Sequence, residues 1–125
     1  GMDAGKIYNT WPLMGNSYFP DDNKIINLFK ISALSDPSLV QYIHRNIAYL
    51  IFIIYALISF IAYKQKIYLL KNSIIILGFV IFLQILLGIL TILSGANILT
   101  SSFHQFSSIL LVTATLYFLF KNKFN

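Results

Sequence analysis

Of the 125 residues, 58% are hydrophobic and only 10% are charged, and the mean hydropathy is +0.75. This composition excludes a water-soluble domain, in which about a quarter of the residues are charged. The net charge of +5 does not indicate nucleic-acid binding, because the sequence has no basic stripe interleaved with aromatic residues. The chain contains no cysteine, which excludes disulfides and thiolate metal sites and leaves histidine as the candidate ligand for a transition metal.

Residues 1–38 are too polar to cross a membrane and are rich in aromatic residues, so they predict an ordered extracytoplasmic cap loop. Within this loop, residues 24–34 place Ile25, Leu28 and Phe29 at helical spacing, which is typical of a short helix lying in the interface. An ordinary loop with a few buried anchors fits the same pattern. No signal peptide precedes the loop, so we expect the chain to be a piece of a longer protein.

Three apolar stretches predict transmembrane helices, since a bilayer core of about 30 Å requires roughly 20 apolar residues per helix. The first covers about 39–63 and follows candidate N-caps at Asp36 and Ser38. From 72 to 120 there is no charged residue, and this span is too long for one helix. The turn-forming residues at 94–97 divide it into helices at about 73–93 and 99–120. The predicted fold class is therefore an all-α integral membrane bundle, with a three-helix unit at 39–125.

The positive-inside rule orients this bundle. The 64–71 loop carries three lysines and the tail carries Lys121 and Lys123. Both should therefore face the cytoplasm or the equivalent matrix side. The cap loop and the uncharged 94–101 turn should face the opposite compartment.

The two histidines of the chain fall at matched depth. His44 lies about five residues into the first predicted helix and His104 about five residues into the third, which runs in the same direction, so both lie about 7 Å below the outer helix ends. Two imidazoles at one level are the arrangement that two axial ligands of a haem iron require. The alternative is that each histidine is an interfacial residue with a hydrogen-bond partner. Zinc is less favoured, because no acidic residue or cysteine completes a tetrahedral site.

Several polar and small residues near the histidines have candidate roles. Arg45 must reach either the outer interface or an anionic partner such as a haem propionate. Gln41 and Gln105 could orient an imidazole through its second nitrogen. Gly88 and Gly95 would permit the close approach of a macrocycle or, as is more frequent in membranes, of a helix.

Three segments of the chain resemble the haem A synthase family, in its mitochondrial and proteobacterial branch. The specific segment is residues 1–14 (GMDAGKIYNTWPLM), and the others are 40–45 (VQYIHR) and 83–91 (LQILLGILT) followed by His104-Gln105. Family members have two similar four-helix halves, each with a histidine pair, and the resemblance implies that this chain is the C-terminal half without its first helix. It also implies that His44 and His104 are the axial ligands of a haem b iron and that Arg45 is the family's arginine.

The resemblance implies an oxidoreductase that converts the methyl group of haem O to the formyl group of haem A for cytochrome oxidase biogenesis. Its setting would be the bacterial plasma membrane or the mitochondrial inner membrane, with haem O synthase and the N-terminal half of the same protein as partners. The family's active half carries a glutamate, whereas all four acids here are Asp, so catalytic residues are not indicated and this fragment alone should be inactive. A small cytochrome b-like electron-transfer subunit and a cofactor-free membrane assembly protein are the alternatives that the residues leave open.

Overall fold

The computed structural model describes residues 3–124, apart from the side chain of Phe124. Gly1 and Met2, the first two residues of the 1–14 segment that resembles the family, lie outside the described residues. Its main elements are three long helices: α1 (Pro37–Lys64), α2 (Lys71–Leu93) and α3 (Ile98–Phe124). Each is long and apolar enough to cross a membrane. The described part of the chain contains no β-strand, only an isolated bridge. The predicted all-α fold class is confirmed, and the protein is an integral membrane protein.

The ends of the helices follow from local backbone chemistry. Asp36 caps α1 by accepting a hydrogen bond from the backbone N of Leu39 at 3.0 Å, with Pro37 at the first helical position. The turn between α2 and α3 contains Gly95 and Ala96, both with left-handed φ angles of 68° and 56°. This conformation reverses the chain after the last turn of a helix, and glycine adopts it without strain.

The helices do not pack evenly against one another. α2 and α3 form an antiparallel pair with the most extensive interface in the described part of the chain. The apolar core at this interface contains Leu70, from the 3-10 turn just before α2, together with Leu77, Val80, Ile81, Ala114 and Phe118. α1 touches α2 more sparsely. At this contact Tyr55 donates a hydrogen bond to the carbonyl oxygen of Ile74 at 3.2 Å and lies where a Cβ on Gly78 would collide with its hydroxyl. A side chain at residue 78 would therefore displace the Tyr55 hydroxyl from its hydrogen bond.

The segment at 24–34 forms two 3-10 turns, Ile25–Phe29 and Ile31–Ser35, in place of one α-helix. Lys30 separates them in an extended conformation, with φ −97° and ψ 146°. The side chain of Asn27 donates to Asn23 Oδ1 at 3.2 Å, and its backbone carbonyl accepts from the Lys30 N at 3.1 Å. These local bonds close a short turn and compete with the longer-range bonding of an α-helix.

A hydrogen-bonded carboxylate joins the cap loop to the start of α1. Asp22 accepts from the Tyr8 hydroxyl at 2.8 Å and from the Ser38 hydroxyl at 2.6 Å. Burial alone would raise the pKa of the Asp22 carboxyl, but the hydrogen bonds donated by Ser38 and Tyr8 outweigh burial and hold this pKa below its usual range. The cap loop is thus attached to α1 more firmly when Asp22 is ionised.

Candidate functional site

The structure brings the two histidines together. His44 on α1 and His104 on α3 have ring centroids 6.2 Å apart and ring planes at 80°. Both line a cavity of about 480 Å³ between α1 and the α2–α3 pair. This volume is in the range of about 300–1,000 Å³ found for small-molecule and cofactor sites.

The His104 ring packs closely against Gly88 of α2. A Cβ on Gly88 would be 3.1 Å from Cε1 of His104 and 3.5 Å from its Nδ1. The Nδ1 atom is buried and has no hydrogen-bond partner among the described residues. A buried polar atom without a partner costs free energy unless a ligand or water satisfies the ring. The sequence suggested that Gly88 permits the close approach of either a macrocycle or a helix. In the structure, the group that lies closest to Gly88 is the His104 ring of α3.

The spacing of the two rings fits one metal between two imidazoles. A metal–imidazole nitrogen bond is about 2 Å long and the nitrogen is about 1.1 Å from the ring centroid, so two imidazoles on opposite sides of one metal would have centroids roughly 6.2 Å apart. The observed 6.2 Å agrees with this value. Within residues 3–124 no group of three or more His, Cys, Asp or Glu side chains is assembled. The donor set therefore fits a haem iron, whose porphyrin supplies the other four ligands, better than a metal ion held by protein ligands alone.

Arg45 is only 6% exposed and does not extend to the outer interface. Its guanidinium donates to the backbone carbonyls of Leu13 at 3.2 Å and Tyr8 at 3.1 Å, and its Nε is buried without a partner. Among the described side chains no carboxylate pairs with it. Arg45 therefore ties the cap loop to α1 and brings an uncompensated positive charge to the cavity wall.

The two glutamines suggested as partners of an imidazole are placed elsewhere. Gln41 makes a two-way pair with the backbone of Tyr8, accepting from its N at 3.2 Å and donating to its O at 2.9 Å. Gln105 is exposed and is not among the residues that line the cavity. Gln41 thus belongs to the attachment of the cap loop.

The cap loop covers one end of the cavity, which the sequence did not indicate. Ala4, Gly5 and Trp11 contribute to the cavity wall, and the Trp11 indole donates to the Tyr49 hydroxyl of α1 at 3.1 Å. These contacts join residues more than 30 positions apart, which no local pattern marks.

A second feature missed from the sequence is a polar link between α2 and α3 beside His104. The Ser107 hydroxyl donates to Gln84 Oε1 of α2 and also lies 2.9 Å from the His104 carbonyl oxygen. Gln84 lines the cavity as well. Polar residues inside an otherwise apolar span were the available signal, because such residues almost always face a protein interior.

Comparison with known proteins places the chain in a family. The model of the COX15-CtaA family, described as cytochrome oxidase assembly protein, matches residues 1–116. Similar proteins named Heme A synthase occur in Pelagibacter ubique, 38% identical over 98% of this chain and 36% of the relative, and in Rickettsia prowazekii, 37% identical over 98% of this chain and 37% of the relative. Heme A synthase COX15 of Saccharomyces cerevisiae is 35% identical over 94% of this chain and 27% of the relative.

The chain thus spans little more than a third of the length of these bacterial relatives. No solved structure matches it. Because the family match covers residues 1–116 and the relatives align over nearly the whole sequence, the chain belongs to the COX15-CtaA family of cytochrome oxidase assembly proteins.

Proposed function

We propose that this chain forms the bis-histidine haem b site of a haem A synthase, which oxidises the methyl group of haem O to the formyl group of haem A for cytochrome oxidase biogenesis. The observation that carries the proposal is the His44–His104 pair, with centroids 6.2 Å apart on the wall of one cavity. Relatives named Heme A synthase that align over 98% of the chain support the same reaction.

In this proposal His44 and His104 would together hold the iron of a bound haem b. Bound haem b supplies an iron that can change oxidation state. His104 is seated against Gly88, so α2 sets the position of its ring, whereas His44 is exposed toward the cavity side of α1. The neighbouring cavity wall is mostly aliphatic, which suits a flat apolar macrocycle and keeps bulk water away from it.

Arg45 supplies a positive charge at the edge of the same cavity. Its two hydrogen bonds go to neutral carbonyl oxygens and its Nε has no partner, so the charge favours a ligand that carries carboxylates. Haem propionates provide that chemistry. In the proposed site Arg45 therefore both anchors the cap loop and stabilises the acidic edge of the ligand.

The remaining parts of the proposal concern the larger protein. The lysine-rich 64–71 loop and tail support a cytoplasmic or matrix location for that end of the bundle, with the cap loop on the opposite side of the bacterial plasma membrane or mitochondrial inner membrane. The chain spans little more than a third of these relatives, and its proposed assignment as the C-terminal half rests on the family resemblance of its opening segment. The chain has no Glu, so haem O oxidation is assigned to the N-terminal half, and haem O synthase is the proposed source of substrate.

Absorption spectra of the detergent-purified chain titrated with haemin test the site. We expect a low-spin, b-type spectrum in the oxidised and dithionite-reduced states. His44→Ala and His104→Ala should each remove one axial ligand and convert the spectrum to a high-spin form with weaker binding. Gln105→Ala is the matched control, because Gln105 adjoins His104 but does not line the cavity.

A low-spin spectrum that persists in both histidine variants would refute the ligand assignment. Failure of the parent chain to bind haemin would favour a cofactor-free assembly protein. Analysis of the haems made by the full-length protein then separates a synthase from an electron-transfer subunit, because only the synthase produces haem A.

A further inference from the structure

A second cavity of about 520 Å³ lies at the end of the bundle opposite the cap loop, where α1 ends and α2 begins. Its wall contains all three lysines of the connecting loop, Lys64, Lys66 and Lys71, and the aromatic rings of Tyr63 and Tyr68. The two tyrosines are 85% and 74% exposed. Lysines and exposed tyrosines at the end of apolar helices are typical of the headgroup level of a bilayer.

No acidic side chain of this chain can neutralise the three lysines. The last acid in the sequence is Asp36, at the opposite end of the 28-residue helix α1, which is roughly 40 Å away at 1.5 Å per residue. The described contacts give none of the three lysines a carboxylate partner. The three lysines are exposed, and the described contacts leave their positive charge available to an anion from outside the chain.

The backbone conformation of Lys66 also supports an anion-binding role for this loop. Lys66 has a left-handed φ of 55°, a conformation that is unfavourable for a residue with a Cβ and free of strain for glycine. The turn thus carries a long cationic side chain where glycine would be easier for the backbone. A binding role for the ammonium group accounts for this choice.

We propose that this cavity binds the phosphate headgroup of an anionic glycerophospholipid. The three lysines contact the phosphate, and Ile74 and Ile75 on the cavity wall contact the acyl chains. A free phosphate ion would match the charge but leave the aliphatic part of the cavity without a partner. Basic pockets between transmembrane helices at the membrane surface bind lipid headgroups in this way.

Electron paramagnetic resonance of the full chain in phosphatidylcholine nanodiscs measures the preference for a lipid. Spin-labelled phosphatidylglycerol is compared with spin-labelled phosphatidylcholine, and the expected result is a clear preference for the anionic lipid. Lys66→Gly should lower this preference about fivefold while leaving thermal stability unchanged or raised, because it relieves the left-handed backbone. The triple variant Lys64→Gln, Lys66→Gln, Lys71→Gln should nearly abolish it.

The matched control is Lys121→Gln with Lys123→Gln, which removes two charges at the same end of the bundle from residues that do not line the cavity. This control should keep most of the preference. Equal losses in the control and in the triple variant would overturn the site in favour of diffuse charge attraction. Absence of any preference for the anionic lipid in the parent would also overturn it.

Discussion

Replacement of Gly88 by alanine should weaken haem binding without destabilising the haem-free chain. Three atoms of the His104 ring are 3.1–3.7 Å from the position of the added Cβ, whereas carbon atoms prefer separations of about 3.5–4.0 Å. The ring must therefore move away from α2 by a few tenths of an ångström. Without haem the side chain can do so by a small rotation, and alanine is the better helix former by about 0.8–1.0 kcal/mol in water.

In the proposed haem complex the His104 ring is held by the iron as well as by α2, so it cannot move freely. An overpacked contact of this kind costs about 1–3 kcal/mol, which corresponds to a loss of about 5- to 150-fold in haem affinity. A Soret titration with haemin measures the dissociation constant, and circular dichroism melting of the haem-free protein measures stability. Gly88→Ala should lower the affinity for haemin but should not lower the melting temperature of the haem-free protein, because only haem binding prevents the His104 ring from moving.

Leu86→Ala is the control, since Leu86 lies on α2 but is 41% exposed and outside the cavity wall. It should leave haem affinity unchanged. If Gly88→Ala also binds haemin as tightly as the parent, His104 is not held between α2 and an iron, and the geometric reasoning fails.

Two further predictions concern the cap loop. Arg45→Met removes the hydrogen bonds to the carbonyls of Tyr8 and Leu13, each worth about 1.5–3 kcal/mol for a charged donor. The cap loop should therefore be cut faster in limited proteolysis. An unchanged rate of cleavage would contradict the anchoring role of Arg45. The pKa of Asp22 is lowered because the hydrogen bonds from Ser38 and Tyr8 outweigh burial. Ionised Asp22 therefore stabilises the folded cap loop, and this stabilisation is complete above the ordinary aspartate pKa of about 4. It is lost as pH falls through the lowered pKa, where the carboxylate becomes protonated. Tryptophan fluorescence during acid titration should show this loss in the parent but not in Asp22→Asn.

The long helices could be predicted from the sequence because the signals for them are local. Apolar length defines each span, and the residues at 94–97 supply a turn whose left-handed positions include Gly95. The matched depth of His44 and His104 followed from counting residues along two helices that run in the same direction. This count required no knowledge of side-chain packing.

The cap loop could not be predicted to the same extent, since its structure depends on contacts between distant residues. Gln41 and Arg45 both bind the backbone of Tyr8, 33 and 37 positions away, and a backbone carbonyl leaves no mark in a sequence pattern. The position of Gly88 beneath His104 depends in the same way on the register of α2 against α3. Side-chain chemistry suggested glutamine and arginine near a ligand, but only the fold determines which acceptor each side chain reaches.

The uneven packing of the helices gives the proposed haem a structural role as well as a chemical one. α2 and α3 share a buried core, whereas α1 is held mainly by Tyr55 near one end of α2 and by the cap loop at its own start. The cavity lies between these two attachments, and one proposed ligand comes from each side of it. A ligand that binds the folded arrangement alone stabilises it by mass action. Coordination by His44 and His104 would therefore join α1 to the α2–α3 pair across the cavity, between these two attachments.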